Sequence, residues 1–281
     1  MAQRAAFIAI LIALLTSSIH AAVVYDFRQT ARSDAQGGEQ TETSGKGVIE
    51  GDRSRVDFTA GTAFPIGSYI ISRKGADQIL MIDPKRSVYG EIDLSTMASM
   101  LASGSIEVSG VKTNVTQLPD HPTISGFPTD HYRIETSYRI TLKSGPLPLT
   151  QDVNTVIEKW TTNAFGDVAG GFLDRSVLRT GEPNIDKILE AEFSKVKGLP
   201  LRQISTVNTV GVGSLARSSD QIGYAPRRTS VNEILLSNIR VESVPSSLFE
   251  IPAGYRRADD KESKSDENRM TVLSMEEPGT K

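Results

Sequence analysis

Between residues 130 and 142 the chain alternates almost without exception. Tyr132, Ile134, Thr136, Tyr138, Ile140 and Leu142 fall on one side of an extended backbone, and His131, Arg133, Glu135, Ser137 and Arg139 fall on the other. A period of two marks a strand with one buried face. Leaving that face in water would cost about 1.5–3 kcal/mol per large apolar side chain, so something must cover it. The same period recurs at Val23, Tyr25 and Phe27 against Asp26 and Arg28, and through Val48–Phe58 with a break at Gly51-Asp52. It returns at Ser68–Ser72, at Val111, Thr113 and Val115, and over Val153–Thr162, Leu201–Val210 and Val231–Val241. Residues 75–93, GADQILMIDPKRSVYGEID, read as two strands through Ile79–Ile82 and Ser87–Ile92, joined by the turn Asp83-Pro84-Lys85-Arg86. Residues 33–47, SDAQGGEQTETSGKG, read as a polar loop.

Two stretches change to helical spacing. Met97, Met100 and Leu101 follow the capping candidates Asp93 and Ser95, and Gly104 closes the turn. Further on, Pro183 suits a first helical turn, Ile185, Ile188, Leu189, Phe193 and Val196 form one stripe, and Gly198 with Pro200 stops it. The glycine-rich residues 164–171, AFGDVAGG, precede it as a flexible connection. Nine or ten strands with one short and one longer helix predict an α+β, mainly β fold: a curved antiparallel sheet, a half-closed barrel, with one or two helices covering its concave side. Strands that are neighbours in sequence are expected to pair through short connections.

The ends of the chain change the picture. Arg4, the uncharged apolar run Ala5–Leu15 and the small residues up to Ala22 form the pattern of a secretory signal peptide. The run is too short for a helix that spans a bilayer, which needs about 20 apolar residues. The expected organisation is a signal peptide at 1–21, a single β domain at 22–257, and a charged, aromatic-free tail at 258–281 that reads as disordered. The expected location is periplasmic or secreted, with no membrane span. Cysteine is absent, so disulfides, thiolate chemistry and a lipidated cysteine are all excluded. Basic and acidic residues are interleaved, and the formal net charge of -3 argues against nucleic acid as a partner. The pairs Arg227/Arg228 and Arg256/Arg257 are the densest positive spots and read as solvated loops before anion sites.

Chemistry-bearing motifs are sparse. Beyond the signal the histidines are His121 and His131, with no HxH or HxxxH spacing for a zinc site and no acidic glycine loop for calcium. No GxSxG elbow, phosphate loop or dinucleotide fingerprint is present. Asp120 beside His121 and Asp130 beside His131 suggest acid and base pairs, but adjacent residues on a strand face opposite sides, so Asp130 is badly placed to support His131. The expectation is a protein that is not an enzyme and takes no cofactor or metal.

Four segments carry a family likeness: YIISRKGADQILMIDPKRSVYGEID, TISGFPTDHYRIE, VIEKWTTNAFG and VNEILLSNIRVESVPSSLFEIPAGYRR, in that order over most of residues 68–257. On these the chain resembles the LolA-like superfamily of periplasmic lipoprotein and lipid carriers, and within it the exported proteins of the DUF4412 type. The resemblance implies a half-closed antiparallel barrel plugged by helices, with an apolar interior that accepts acyl chains. The loops at 33–47 and 211–230 and the acidic tail depart from the lipoprotein carrier. Met97, Met100, Leu101, Trp160 and Phe193 are the candidate ligand contacts; packing in a solid core is the alternative for each. The expected function is a non-enzymatic carrier or binding protein for a lipid or other hydrophobic ligand. The alternative is an interaction or sensor module with a filled core that binds another cell-envelope protein.

Overall fold

A computed structural model describes residues 20–34, 38–73, 78–93, 106–143, 148–166, 186, 187, 190, 195–212 and 227–258. Its strands are β1 (His20–Ser33), β2 (Gln40–Glu50), β3 (Arg53–Gly61), β4 (Tyr69–Arg73), β5 (Gln78–Asp83), β6 (Val88–Asp93), β7 (Ile106–Leu118), β8 (Thr123–Ile124), β9 (Phe127–Pro128), β10 (Asp130–Leu142), β11 (Leu149–Thr162), β12 (Leu199–Val212), β13 (Arg227–Val244) and β14 (Arg256–Arg257). Twelve of them form one sheet in the order β14-β6-β5-β4-β3-β2-β1-β13-β12-β11-β10-β7, and β8 and β9 form a separate hairpin. The sheet is therefore two antiparallel meanders, β1 to β6 and β7 to β13, sewn together where β1 runs against β13 from His20↔Val244 to Ser33↔Ser230. Only β14 lies parallel to its neighbour.

The sheet is large and curved and does not close into a barrel. Connectivity accords with that curvature, since a flat sheet would need the link from β6 to β7 fully taut. β6 and β7 are ten strand spacings apart, about 48 Å on a flat sheet, whereas the connecting residues 94–105 reach at most roughly 45 Å when fully extended. Bulges supply bends. One extra residue is inserted in β13 between the partners of Val24 and Asp26, in β7 opposite Ser137/Arg139, in β3 beside Gly45 and in β12 beside Trp160. The first two coincide with the left-handed residues Asn238 (φ 50°) and Gly110 (φ 64°).

Alternation gives the sheet two faces, each with its own cluster. On the first, Val23, Tyr25, Phe27, Ile49, Val56, Phe58, Ile70, Leu199, Leu201 and Leu236 pack together. Phe64, Ile124, Phe127 and Phe165 lie against them. On the second, Ala22, Val24, Val48, Tyr69, Ile71, Ile82 and Val244 pack around Phe249, which is 0% exposed. This second cluster is closed by the chain end: a 3-10 helix (Ser246–Phe249) brings Leu248 and Phe249 onto it, with Ile251 and Tyr255, before β14 docks on β6. Arg55 holds this strap by donating to the Leu248 carbonyl (3.1 Å), while its guanidinium covers the Tyr69 ring at 3.6 Å.

The turn at residues 83–86 is as expected, with Asp83 Oδ1 accepting the amides of Lys85 and Arg86. The polar loop expected at 33–47 is corrected, because β2 already begins at Gln40. Two of its glycines look like loop residues but sit in β2 where neighbours come close: Gly47 is registered with Tyr25, whose ring lies against it, and Gly45 with Phe27, with the Asp57 carbonyl of β3 closer still. The strand count also rises above nine or ten. Most of both predicted helices, including residues 94–105, lies outside the described residues; Asp186, Lys187, Glu190 and Lys195 are helical. One or two covering helices therefore do not enter the described architecture.

Candidate functional site

The first face extends beyond its cluster across the second meander. Register sets its rows: Val115, Ile134, Ile157, Ser205 and Asn232 form one, and Thr113, Thr136, Thr155, Val207 and Ser230 the next. Thr113 and Thr136 share a hydroxyl contact at 3.4 Å. A further row holds Tyr132, Lys159, Gln203 and Ile234. Among the described strand residues of β7 and β10–β13, this face presents apolar, hydroxyl and amide side chains with Lys159 and Arg228, and one carboxylate, Asp130, at the first position of β10, where Gln117 donates to it at 3.3 Å. Ile134 is 1% exposed, whereas Tyr138, Ile140 and Ile157 are half-buried. Burial pushes the Tyr132 and Tyr138 hydroxyls above the usual phenol range. Asn232 Oδ1 is buried with no hydrogen-bond partner.

One end of the face is covered. The hairpin β8–β9 turns through Ser125 (φ 51°) and Gly126 (φ 88°), as a two-residue turn requires. It lays Ile124 and Phe127 on the first cluster, and the Ser125 hydroxyl donates to the Leu236 carbonyl of β13 at 2.5 Å. Phe165 stacks at a tilt against Phe127, with centroids 4.9 Å apart. Residues 163–166 are thus anchored in a turn, with the Gly166 amide donating to the Asn163 carbonyl.

Trp160 is the one predicted contact residue within the described residues. Met97, Met100, Leu101 and Phe193 lie outside them. Trp160 is buried, but it is registered with His131 on one side and Arg202 on the other, so it faces away from Ile134, Val153 and Leu236. The His131 ring stacks on it at 4.2 Å and 18°, and the Arg202 guanidinium lies 5.0 Å from its centre. Cation–π attraction favours that sandwich. Around it, Arg202 donates to Glu233 (2.8 Å) and Arg133 to Glu158 (3.2 Å).

The two Asp-His neighbours are crossed. His131 Nδ1 donates to Asp120 at 2.9 Å, and His121 Nδ1 lies 3.2 Å from Asp130. Asp130 cannot serve His131, as adjacency on a strand dictates, but residues 119–130 double back so that Asp120 can. The hydrogen bond from His131 holds the Asp120 carboxyl below its usual range. No nucleophile completes these pairs into a relay among the described contacts, and among the described residues no group of three or more His, Cys, Asp or Glu could hold a metal ion. No helix among them is long and apolar enough to cross a membrane.

Arg202 and Glu158 were not singled out from sequence. Each is an isolated charge on the Trp160 side of its strand, and they come together only once β11 and β12 are aligned. No family model matches the chain, and no curated protein matches it. Among solved structures the chain is similar to PNGF-II at 11% identity and a TM-score of 0.32, over 86% of this chain and 32% of that one, so that it spans about a third of PNGF-II. It is also similar to a LolA superfamily protein from Nitrosomonas europaea, at 10% identity and a TM-score of 0.29, over 80% of this chain and 89% of that one.

Proposed function

We propose that the protein is a non-enzymatic carrier or binding protein for a lipid acyl chain, exported by residues 1–21 and working in the periplasm or outside the cell. One observation carries this reading: the sheet is open, and its first face continues past the packed cluster as rows of Val, Ile, Thr and Tyr interspersed with Ser, Asn and Gln, with the carboxylate of Asp130 confined to the first position of β10. An acyl chain asks for an apolar wall and loses affinity beside an unpaired charge. Cleavage after Ala21 would keep Ala22, 1% exposed and registered with Glu242, at the start of β1.

Native mass spectrometry of protein purified without detergent tests the reading: co-purified lipid is expected, with uptake of a fluorescent fatty acid after delipidation. Ile157→Asp, on the first face, should abolish uptake, and Val156→Asp, on the opposite face, should preserve it. Preparations that are lipid-free and take up no probe would overturn the proposal. A second reading, docking of another envelope protein by strand addition, is favoured by β7, a thirteen-residue strand at the sheet edge. Lipid-free protein that keeps a co-purifying polypeptide would support it.

A further inference from the structure

The hairpin β8–β9 is tied at its base by both crossed Asp-His pairs, Asp120–His131 and His121–Asp130. It is tied again by Thr129, whose amide and hydroxyl both donate to the Pro122 carbonyl. We infer that this base is a proton-dependent latch, centred on His131, that fixes the hairpin over the first face. What the latch would gate rests on the carrier reading; the latch itself rests on the geometry of residues 119–131.

His131 is 6% exposed, and its Nε2 is buried without a hydrogen-bond partner, 3.7 Å from Glu158 Oε2. Nδ1 is committed as a donor to Asp120, so a neutral ring turns the Nε2 lone pair toward a carboxylate. A protonated ring donates from both nitrogens and bridges the hairpin base to β11. The charged groups packed round the ring are few. Asp120 reaches it from the segment before β8. Glu158 comes from β11, with its other oxygen held by Arg133 of β10. Arg202 of β12 is on the far side of the Trp160 ring and is neutralised by Glu233 of β13. Two carboxylates therefore face the imidazole directly, and the cation on its stacked side is separated from it by an indole. Protonation tightens the latch by adding the tie from Nε2 to β11; its loss as pH rises leaves the base with the Nδ1–Asp120 and Thr129–Pro122 bonds alone, and the hairpin held on the face by Ile124, Phe127 and Ser125.

The chain has one tryptophan, and it is stacked on this histidine, so its fluorescence reports the latch. An imidazolium quenches a stacked indole more strongly than a neutral imidazole does. Emission titrated from about pH 5 to about pH 8 should rise as a single sigmoid in the intact protein. His131→Gln should abolish the sigmoid. Hydrogen exchange at residues 123–129, corrected for intrinsic rates, should be several-fold slower at the acid end in the intact protein and pH-independent in His131→Gln. Superimposable emission curves for the intact protein and His131→Gln would overturn the latch, as would pH-independent exchange in the intact hairpin. Far-UV circular dichroism confirms that the variant is folded. Neither readout uses lipid, so a lipid-free protein with an intact sigmoid defeats the carrier reading and not the latch.

Discussion

Replacing Gly47 by alanine tests how β1 and β2 fit together. Gly47 is registered with Tyr25, whose ring lies across it. A Cβ at residue 47 would stand 2.0 Å from Tyr25 Cζ and 2.3 Å from its hydroxyl oxygen. The backbone of Gly47 is not in the left-handed region, so alanine carries no conformational strain there, and the ring is the whole obstacle. Tyr25 is 2% exposed within the first cluster and has nowhere to go without displacing Phe27 or Ile49. Overpacking of this kind costs about 1–3 kcal/mol, which lowers the melting temperature of a domain this size by roughly 2–12 °C. In a Tyr25→Ala background the same substitution should be neutral, or stabilising by about 0.4–1 kcal/mol, because alanine restricts the unfolded chain. Urea denaturation followed by circular dichroism on the four members of the cycle, with m unchanged, measures the coupling. Equal costs in the two backgrounds would refute the claim that the ring is what demands glycine.

Two further outcomes follow from the same packing. Phe249→Ala empties the centre of the second cluster and should cost about 3–5 kcal/mol. Because β14 hangs from that strap, the amides of Arg256 and Ala258, which donate to the Ser87 and Tyr89 carbonyls, should exchange faster in the variant; unchanged exchange would show that β14 docks independently. Burial raises the hydroxyl pKa of Tyr25, Tyr69, Tyr132 and Tyr138, so the fold disfavours tyrosinate. Their contribution to stability is present below about pH 10 and is lost as pH rises beyond it. Absorbance at 295 nm near pH 11 should accordingly fall short of the urea-unfolded value, and Tyr25→Phe should narrow the gap; a native titration matching the unfolded one would contradict it.

Local pattern determined most of the strands, because a half-buried strand must alternate whatever it pairs with. The period of two over Asp130–Leu142 marked β10 and the side on which Ile134 is buried, and Asp83-Pro84 marked the β5–β6 turn through contacts two or three residues long. What the sequence withheld depends on partners far along the chain. Gly45 and Gly47 read as loop because nothing near them in sequence explains glycine; the reason is the Tyr25 ring on β1 for Gly47, and for Gly45 the Asp57 carbonyl of β3 together with the Phe27 ring, visible only once the register is known. Trp160 was legible as buried, but the company it keeps, His131 on one side and Arg202 on the other, is set by the registers of β10 and β12 against β11. Asp120 and His131 meet because a hairpin folds back over the first face, so four residues that look like two adjacent pairs become two crossed ones. The central seam of β1 on β13, joining residues about 200 positions apart, left no local trace, since strand pairing is chosen by the burial of whole faces and not by any neighbouring residue.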